Sequence, residues 1–308
     1  MNPIKMKIFF SFLLIVVTLR NSKCAKILGV FPVPARSHCI LGNSLMKGLA
    51  ERGHDVTIIT PYTEKNLPKK GSYKQIELTE FEGLHDSKFS VKLFEFQFKK
   101  IWTGRRTKMN IFEMEETTPF LFIPFVLQLM TEITEEVLNH TNVQKLLKSG
   151  EKFDVVIIEQ FMNEAHKGFA THFNAPTILL NTIGANIWTN MLVANPAPTS
   201  YVPDLFLSYS SHMTFRERLT NTALYVYCYI LFHAFNFPQH ARLYNEYFPN
   251  SLPFYDALYN VSLVLLNSHP SLNQPVPYVP NMIDIGGFHV QPTKTLPHDL
   301  QKFLDESK

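Results

Sequence analysis

Lys26-Ile27-Leu28-Gly29-Val30-Phe31 opens the stretch that decides the fold, which runs on to Pro61. The six residues are short, continuous and apolar, as a strand covered on both faces should be, and Pro32 and Pro34 break it. From Ile40 onward Leu41, Leu45 and Leu49, seconded by Met46 and Ala50, recur at helical spacing, and Gly53 after Arg52 is a stop signal. Asp55-Val56-Thr57-Ile58-Ile59-Thr60 is the next strand. The unit is strand-helix-strand with a short return, and in open parallel sheets reacting groups gather where strand carboxyl ends meet helix amino ends. His38, after Ser37, stands at that junction. A ring there faces the positive end of the peptide dipoles, which favours its neutral form, and a neutral ring can act as a base. The plainer reading is that Ser37 caps the helix and His38 is a solvated first-turn residue. This segment alone leaves both open. His54, at the helix exit, reads as a turn residue or a partner of the helix C-terminus.

Outward toward the amino terminus, Lys5 and Lys7 precede Ile8 to Leu19, a run too short for a comfortable bilayer span and suited to a signal-peptide core. Cleavage after Cys24 would make residues 1–24 the leader and Ala25 the first mature residue. Cys39 and Cys228 would then be what remains of 3 cysteines, so no disulfide framework is expected. A chain of 308 residues, 45% of them hydrophobic, can build its own core, and 26 Phe with 12 Tyr make apolar pockets easy to line. The formal charge of +3 comes without a sustained basic stripe, despite Lys99-Lys100 and Arg105-Arg106, and gives no indication of nucleic acid. Asn139-His140-Thr141 and Asn260-Val261-Ser262 fit the glycosylation acceptor pattern, with Asn260 close enough to a strand to be shielded.

Toward the carboxyl terminus, Gln75 to Leu78 reads as a short strand, and loops and short helices are expected up to about Arg106. Pro119 to Leu138 reads as a helix bent or begun near Pro124, covering the sheet. Phe153-Asp154-Val155-Val156-Ile157-Ile158 is a buried strand ending at Glu159-Gln160, followed by a helical segment from Asn163 to Phe173 and by a second such strand, Pro176 to Asn181. This alternation predicts an α/β fold with a mainly parallel, Rossmann-like sheet and helices on both faces. Thr199 to Ser211 is a proline-punctuated loop. Phe215 to about Phe237 reads as a very apolar helix ended by Pro238, buried or interfacial rather than membrane-spanning. Ser262 to Asn267 is the last clear strand; beyond Pro275, Pro277 and Pro280 a linker with Gly286-Gly287 leads to a charged helical tail.

His38 and Glu159 thus stand at the carboxyl ends of two predicted parallel strands. If those strands are neighbours, the carboxylate could accept a hydrogen bond from one ring nitrogen and leave the other free to take a proton from a hydroxyl. A loop carboxylate paired with solvent or a cation is the equally weighted alternative for Glu159. The order Phe31-Pro32, Ser37-His38, Leu49-Ala50-Glu51-Arg52-Gly53-His54-Asp55-Val56-Thr57 and Pro61 resembles the amino-terminal half of the UDP-glycosyltransferases of animals, particularly the insect branch. Phe153 to Glu159, Ser200-Tyr201-Val202-Pro203, Phe215-Arg216-Glu217-Arg218, Asn281 to Gly287 and Leu296-Pro297 extend the resemblance over nearly the whole chain.

That resemblance implies the amino-terminal half of a glycosyltransferase-B arrangement, an inverting transfer from a UDP-sugar to a hydroxyl of a small lipophilic acceptor, His38 as general base and Glu159 as its orienting carboxylate. Many relatives have aspartate at position 159, so Glu159 adds one methylene. It further implies an acceptor-binding domain over 25–288, a linker and the start of a donor-binding domain over 289–308, no cofactor beyond the UDP-sugar co-substrate, no metal, and residence in the endoplasmic reticulum lumen. Partners would be the acceptor, copies of full-length relatives and a membrane surface. The family's tryptophan-, proline-, glutamine- and histidine-containing donor signature does not occur before Lys308. The expectation is an acceptor-binding half that is inactive alone, with a non-catalytic lumenal lipophile-binding or partner-modulating short form as the alternative. Should His38 not be the base, His166 and His172 are next in line.

Overall fold

A computed structural model describes residues 24–79, 119–292 and 295–307; the leader run and the expected loops between 80 and 106 lie outside them. Strands β1 (Lys26–Val30), β2 (Asp55–Thr60), β3 (Ser72–Glu77), β4 (Val155–Glu159), β5 (Thr177–Asn181), β6 (Leu263–Leu266) and β7 (Met282–Asp284) form one sheet in the order β3-β2-β1-β4-β5-β6-β7. Every neighbouring pair is parallel. The order reverses between β1 and β4, which makes their carboxyl ends the switch point of a Rossmann-like sheet.

Alternation along the strands sends side chains into two cores. Leu28, Val30, Val156 and Ile158 face one, and Ile27, Phe31 and Ile157 face the other. Helix α1 (Arg36–Glu51) covers the second core with Leu41, Met46 and Ala50. It seats closely because Gly42 carries no Cβ; one built there would lie 2.4 Å from Phe31 Cγ. Gly53, at φ 92°, ends the helix as its sequence position suggests. Ser37 is not the cap. The cap position is Ala35, without a side-chain hydrogen bond, so the helix starts one turn earlier than the apolar spacing indicates and His38 is its third residue.

The first core is covered by α2 (Pro119–Asn139), which contributes Ile123, Val126, Met130, Ile133 and Val137. Pro124 lies inside α2 and cannot bond the Phe120 carbonyl; the Tyr227 hydroxyl donates to that carbonyl instead, at 2.7 Å, and the helix continues. After α3 (Thr141–Leu147) and β4, the expected helix from Asn163 to Phe173 is a 3₁₀ turn, Glu164–Lys167, followed by one α turn, α4 (Gly168–His172). Beyond β5 and the short α5 (Ile187–Asn190), α6 (Phe215–Leu231) starts at a capping box formed by Thr214 and Glu217. Pro238 does not end this run. A π turn, Phe232–Asn236, intervenes, and Pro238 sits in the first turn of α7 (Phe237–Tyr247), the part of a helix that needs no N–H from it. Among the described residues no helix is long and apolar enough to cross a membrane.

Helix α8 (Phe254–Tyr259) precedes β6, and Asn260 directly after it is exposed rather than shielded. β7 corrects the reading of this stretch as linker: its three residues pair with β6 through Val264↔Met282, Leu265↔Ile283 and Leu266↔Asp284. Helix α9 (His298–Glu306) buries none of its residues.

Candidate functional site

β1 and β4 are in register through Val30↔Ile158, so the last residue of β4 and the first turn of α1 meet above the sheet. Glu159 is that last residue. His38 Nδ1 is hydrogen-bonded to Glu159 Oε1. The glutamate side chain is fully buried, while 17% of the histidine side chain remains accessible. An ionised carboxylate only accepts, so in a neutral ring the proton of this hydrogen bond sits on Nδ1 and Nε2 is the nitrogen left with its lone pair. The second carboxylate oxygen, Oε2, is buried without a hydrogen-bond partner.

Two further groups lie against the ring. Thr182 directly follows β5, and its hydroxyl lies 3.4 Å from His38 Nδ1; three adjacent strands, β1, β4 and β5, therefore deliver their ends to one point. The Phe161 ring stands at 81° to the imidazole with centroids 4.8 Å apart. Neither residue was singled out from sequence. Thr182 was within reach of the strand-end argument that found Glu159, whereas a Phe in an aromatic-rich chain carries no signal of its own. Beside the pair, burial and then the charge of Glu159 push the Cys39 thiol up to about 12.

Beneath the Glu159-Gln160 corner lies a second, wholly buried polar group. Lys167 Nζ donates to Gln160 Oε1 at 2.8 Å, and Gln160 Nε2 donates to Glu164 Oε1 at 3.1 Å. His240, from α7, sits with Nε2 3.8 Å from Glu164 Oε2 and accepts the Ala165 N–H through Nδ1 at 3.3 Å. Burial dominates their acid-base behaviour. It lowers Lys167 to about 8 against the opposing pull of Glu164, and lowers His240 to about 4 and His166 to about 3. Both histidines are thus neutral near pH 7. Among the described residues no group of His, Cys, Asp and Glu is arranged to hold a metal ion.

The other sequence candidates lie apart from the pair. His166 is fully buried, with Nδ1 3.1 Å from Asn163 Nδ2, and His172 contacts the Leu147 carbonyl at 2.9 Å. His54 accepts the Ala25 N–H at the start of β1, the end of that strand opposite His38. Asn139, the last residue of α2, and Asn260 are both exposed. A groove of about 460 Å³ runs along β3 past Lys74 and Lys145 to Glu151, which is paired with Lys26 at the start of β1 and so belongs to the other end of the sheet from His38.

The family model described as "UDP-glucoronosyl and UDP-glucosyl transferase" matches residues 25–308. Over 97% of its length the chain is 30% identical to "UDP-glycosyltransferase UGT5" of Dactylopius coccus, covering 54% of that protein. Over 92% it is 26% identical to the human "2-hydroxyacylsphingosine 1-beta-galactosyltransferase", covering 49% of it. The chain therefore spans about half the length of the curated relatives it matches. A solved structure, that of the glycotransferase of kitacinnamycin, overlaps 79% of this chain and 46% of its own at 12% identity and a TM-score of 0.36. The fold assignment rests on the strand order and not on that overlap.

Proposed function

Because the chain belongs to the UDP-glucoronosyl and UDP-glucosyl transferase family, we propose that it forms the acceptor-binding side of an enzyme that transfers a sugar from a UDP-sugar to a hydroxyl of a small lipophilic acceptor. The observation that carries this reading is the His38–Glu159 contact at the carboxyl ends of β1 and β4. With Nδ1 committed to the carboxylate, Nε2 takes the proton of the acceptor hydroxyl. Its oxygen forms the new bond to the anomeric carbon from the face opposite the leaving group, and the bond to UDP breaks with its electron pair leaving on the diphosphate. Glu159 holds the ring in the productive tautomer and offsets the imidazolium charge as it forms.

The UDP-sugar is a co-substrate, and no cofactor enters the step. Acceptor binding is assigned to 25–288, with 289–308 leading toward donor binding. A lumenal setting in the endoplasmic reticulum goes with this reading, as do glycans on the exposed Asn139 and Asn260 and association with copies of full-length relatives or a membrane surface.

The test is His38→Ala in this chain joined to a donor-binding domain of the family. Loss of a general base lowers turnover by about 10²- to 10⁴-fold with acceptor affinity little changed. Near-normal turnover across pH would remove His38 from the role.

A further inference from the structure

We propose that Phe161 is the positioning residue of the His38 base, held against the imidazole by the buried polar group beneath the β4 exit; the inference rests on the reading of His38 as base. The imidazole has two sides to account for. Glu159 and Thr182 both meet the ring at Nδ1, and contacts at a single atom leave the ring free to tilt, because the terminal torsion of histidine is broad. Phe161 closes that freedom with its near-perpendicular ring at 4.8 Å. Behind it stands Trp188, 6.3 Å away at 83° and 2% exposed, itself packed on Phe206 and Phe232, so Phe161 lies between the base and an aromatic wall.

The backbone around Phe161 is fixed as firmly. On one side the Gln160 N–H bonds the Leu180 carbonyl of β5 at 2.9 Å, and the Gln160 amide is held at both ends by Lys167 and Glu164. On the other side the Phe161 N–H donates to Asn163 Oδ1 at 3.1 Å, and Met162 is held at φ 56°, a conformation that a side-chain-bearing residue seldom adopts unless its surroundings impose it. This is the part played by the Lys167–Gln160–Glu164 group: it makes no hydrogen bond to His38, and it sets the path of residues 160–163, which present Phe161. Burying a lysine and a glutamate costs stability, and here that cost maintains the alignment of the base.

Nitrogen-15 NMR of the His38 ring at pH 7.5, in this chain, tests the inference without a turnover assay. In the wild type Nδ1 has the shift of a protonated ring nitrogen and Nε2 that of an unprotonated one, and the Nδ1 proton exchanges slowly. In Phe161→Leu, which keeps apolar volume but loses the flat ring, the two nitrogen shifts move toward each other and the slowly exchanging proton signal is lost; Phe161→Tyr restores both. Gln160→Met, which cuts both side-chain bonds, moves the same signals in the same direction, while the backbone amide spectrum of each variant reports that the sheet is intact. A wild-type ring with its proton on Nε2 would overturn the base reading itself. A wild-type ring protonated on Nδ1 and unchanged in Phe161→Leu would leave the base reading standing and overturn the positioning role, and an unchanged ring in Gln160→Met would remove the buried group from it.

Discussion

Acid should loosen this protein before its carboxylates titrate, because two histidines are buried neutral. An unfolded histidine titrates near 6.5, whereas burial holds His240 at about 4 and His166 at about 3 in the fold. Both values are depressed, so the unfolded chain binds protons that the native one refuses, and stability falls as pH drops below 6.5 toward the folded values. At about 1.36 kcal/mol per pH unit, taking the solution from neutrality to pH 5 costs about 2 kcal/mol for each ring, or about 4 kcal/mol for both. Domains of ordinary stability hold about 5–15 kcal/mol, so the loss is a large fraction of the whole. The groups facing the rings sharpen the expectation. Lys167 opposes protonation of both rings and Glu164 favours it at His240, so the first proton to enter should go to His240 and make entry at His166 harder still. Urea unfolding at pH 7.5, 6.5, 5.5 and 5.0 gives the slope of stability against pH, expected at about 2 kcal/mol per unit around pH 5.5. His240→Asn and His166→Asn should each remove about half of that slope, whatever they do to the absolute stability. A wild-type slope no steeper than that of the double variant would refute the reasoning.

In this chain joined to a donor-binding domain of the family, Glu159→Gln should lower turnover less than loss of the imidazole, since an amide can still orient the ring but cannot offset its charge, and Glu159→Asp should be mildest; equal effects of Gln and Asp in steady-state kinetics would contradict the assignment. Gly168→Ala places a methyl 2.0 Å from Cδ2 of Phe248, a ring 2% exposed and enclosed by Phe169 and Tyr244, and should cost about 1–3 kcal/mol or more; an unchanged urea midpoint would show that this corner is loosely packed. Burial holds the Cys39 and Cys228 thiols at about 12, so iodoacetamide at pH 8 should label neither until urea is added; peptide mass spectrometry showing native labelling of Cys39 at the unfolded rate would mean that the N-terminal turn of α1 opens readily.

What the sequence determined by itself is whatever short-range pattern encodes. Continuous apolar runs mark β1, β2, β4, β5 and β6 because a strand covered on both faces has no polar side to show, and helical spacing with a glycine stop marks α1. The same reading put His38 and Glu159 at strand ends, and likeness to a family joined them into a pair. Local pattern failed where a distant partner sets the structure. β7 is three residues long and follows three prolines, and it is a strand because β6 offers its edge. The helix through Pro124 survives because a hydroxyl 107 residues away takes the carbonyl that proline leaves free. Pro238 sits within a helical run because a π turn precedes it. The tertiary structure alone decided that β1 lies beside β4, which turns two strand ends into one hydrogen bond, and it alone brought Phe161 onto the ring, Thr182 to Nδ1, and His240 of α7 to Glu164, 76 residues earlier in the chain. The physical reason is that strand order is a property of the closed sheet: side chains distant in sequence meet only once parallel crossovers have stacked their strands, and no periodicity within a segment records which strand will be its neighbour.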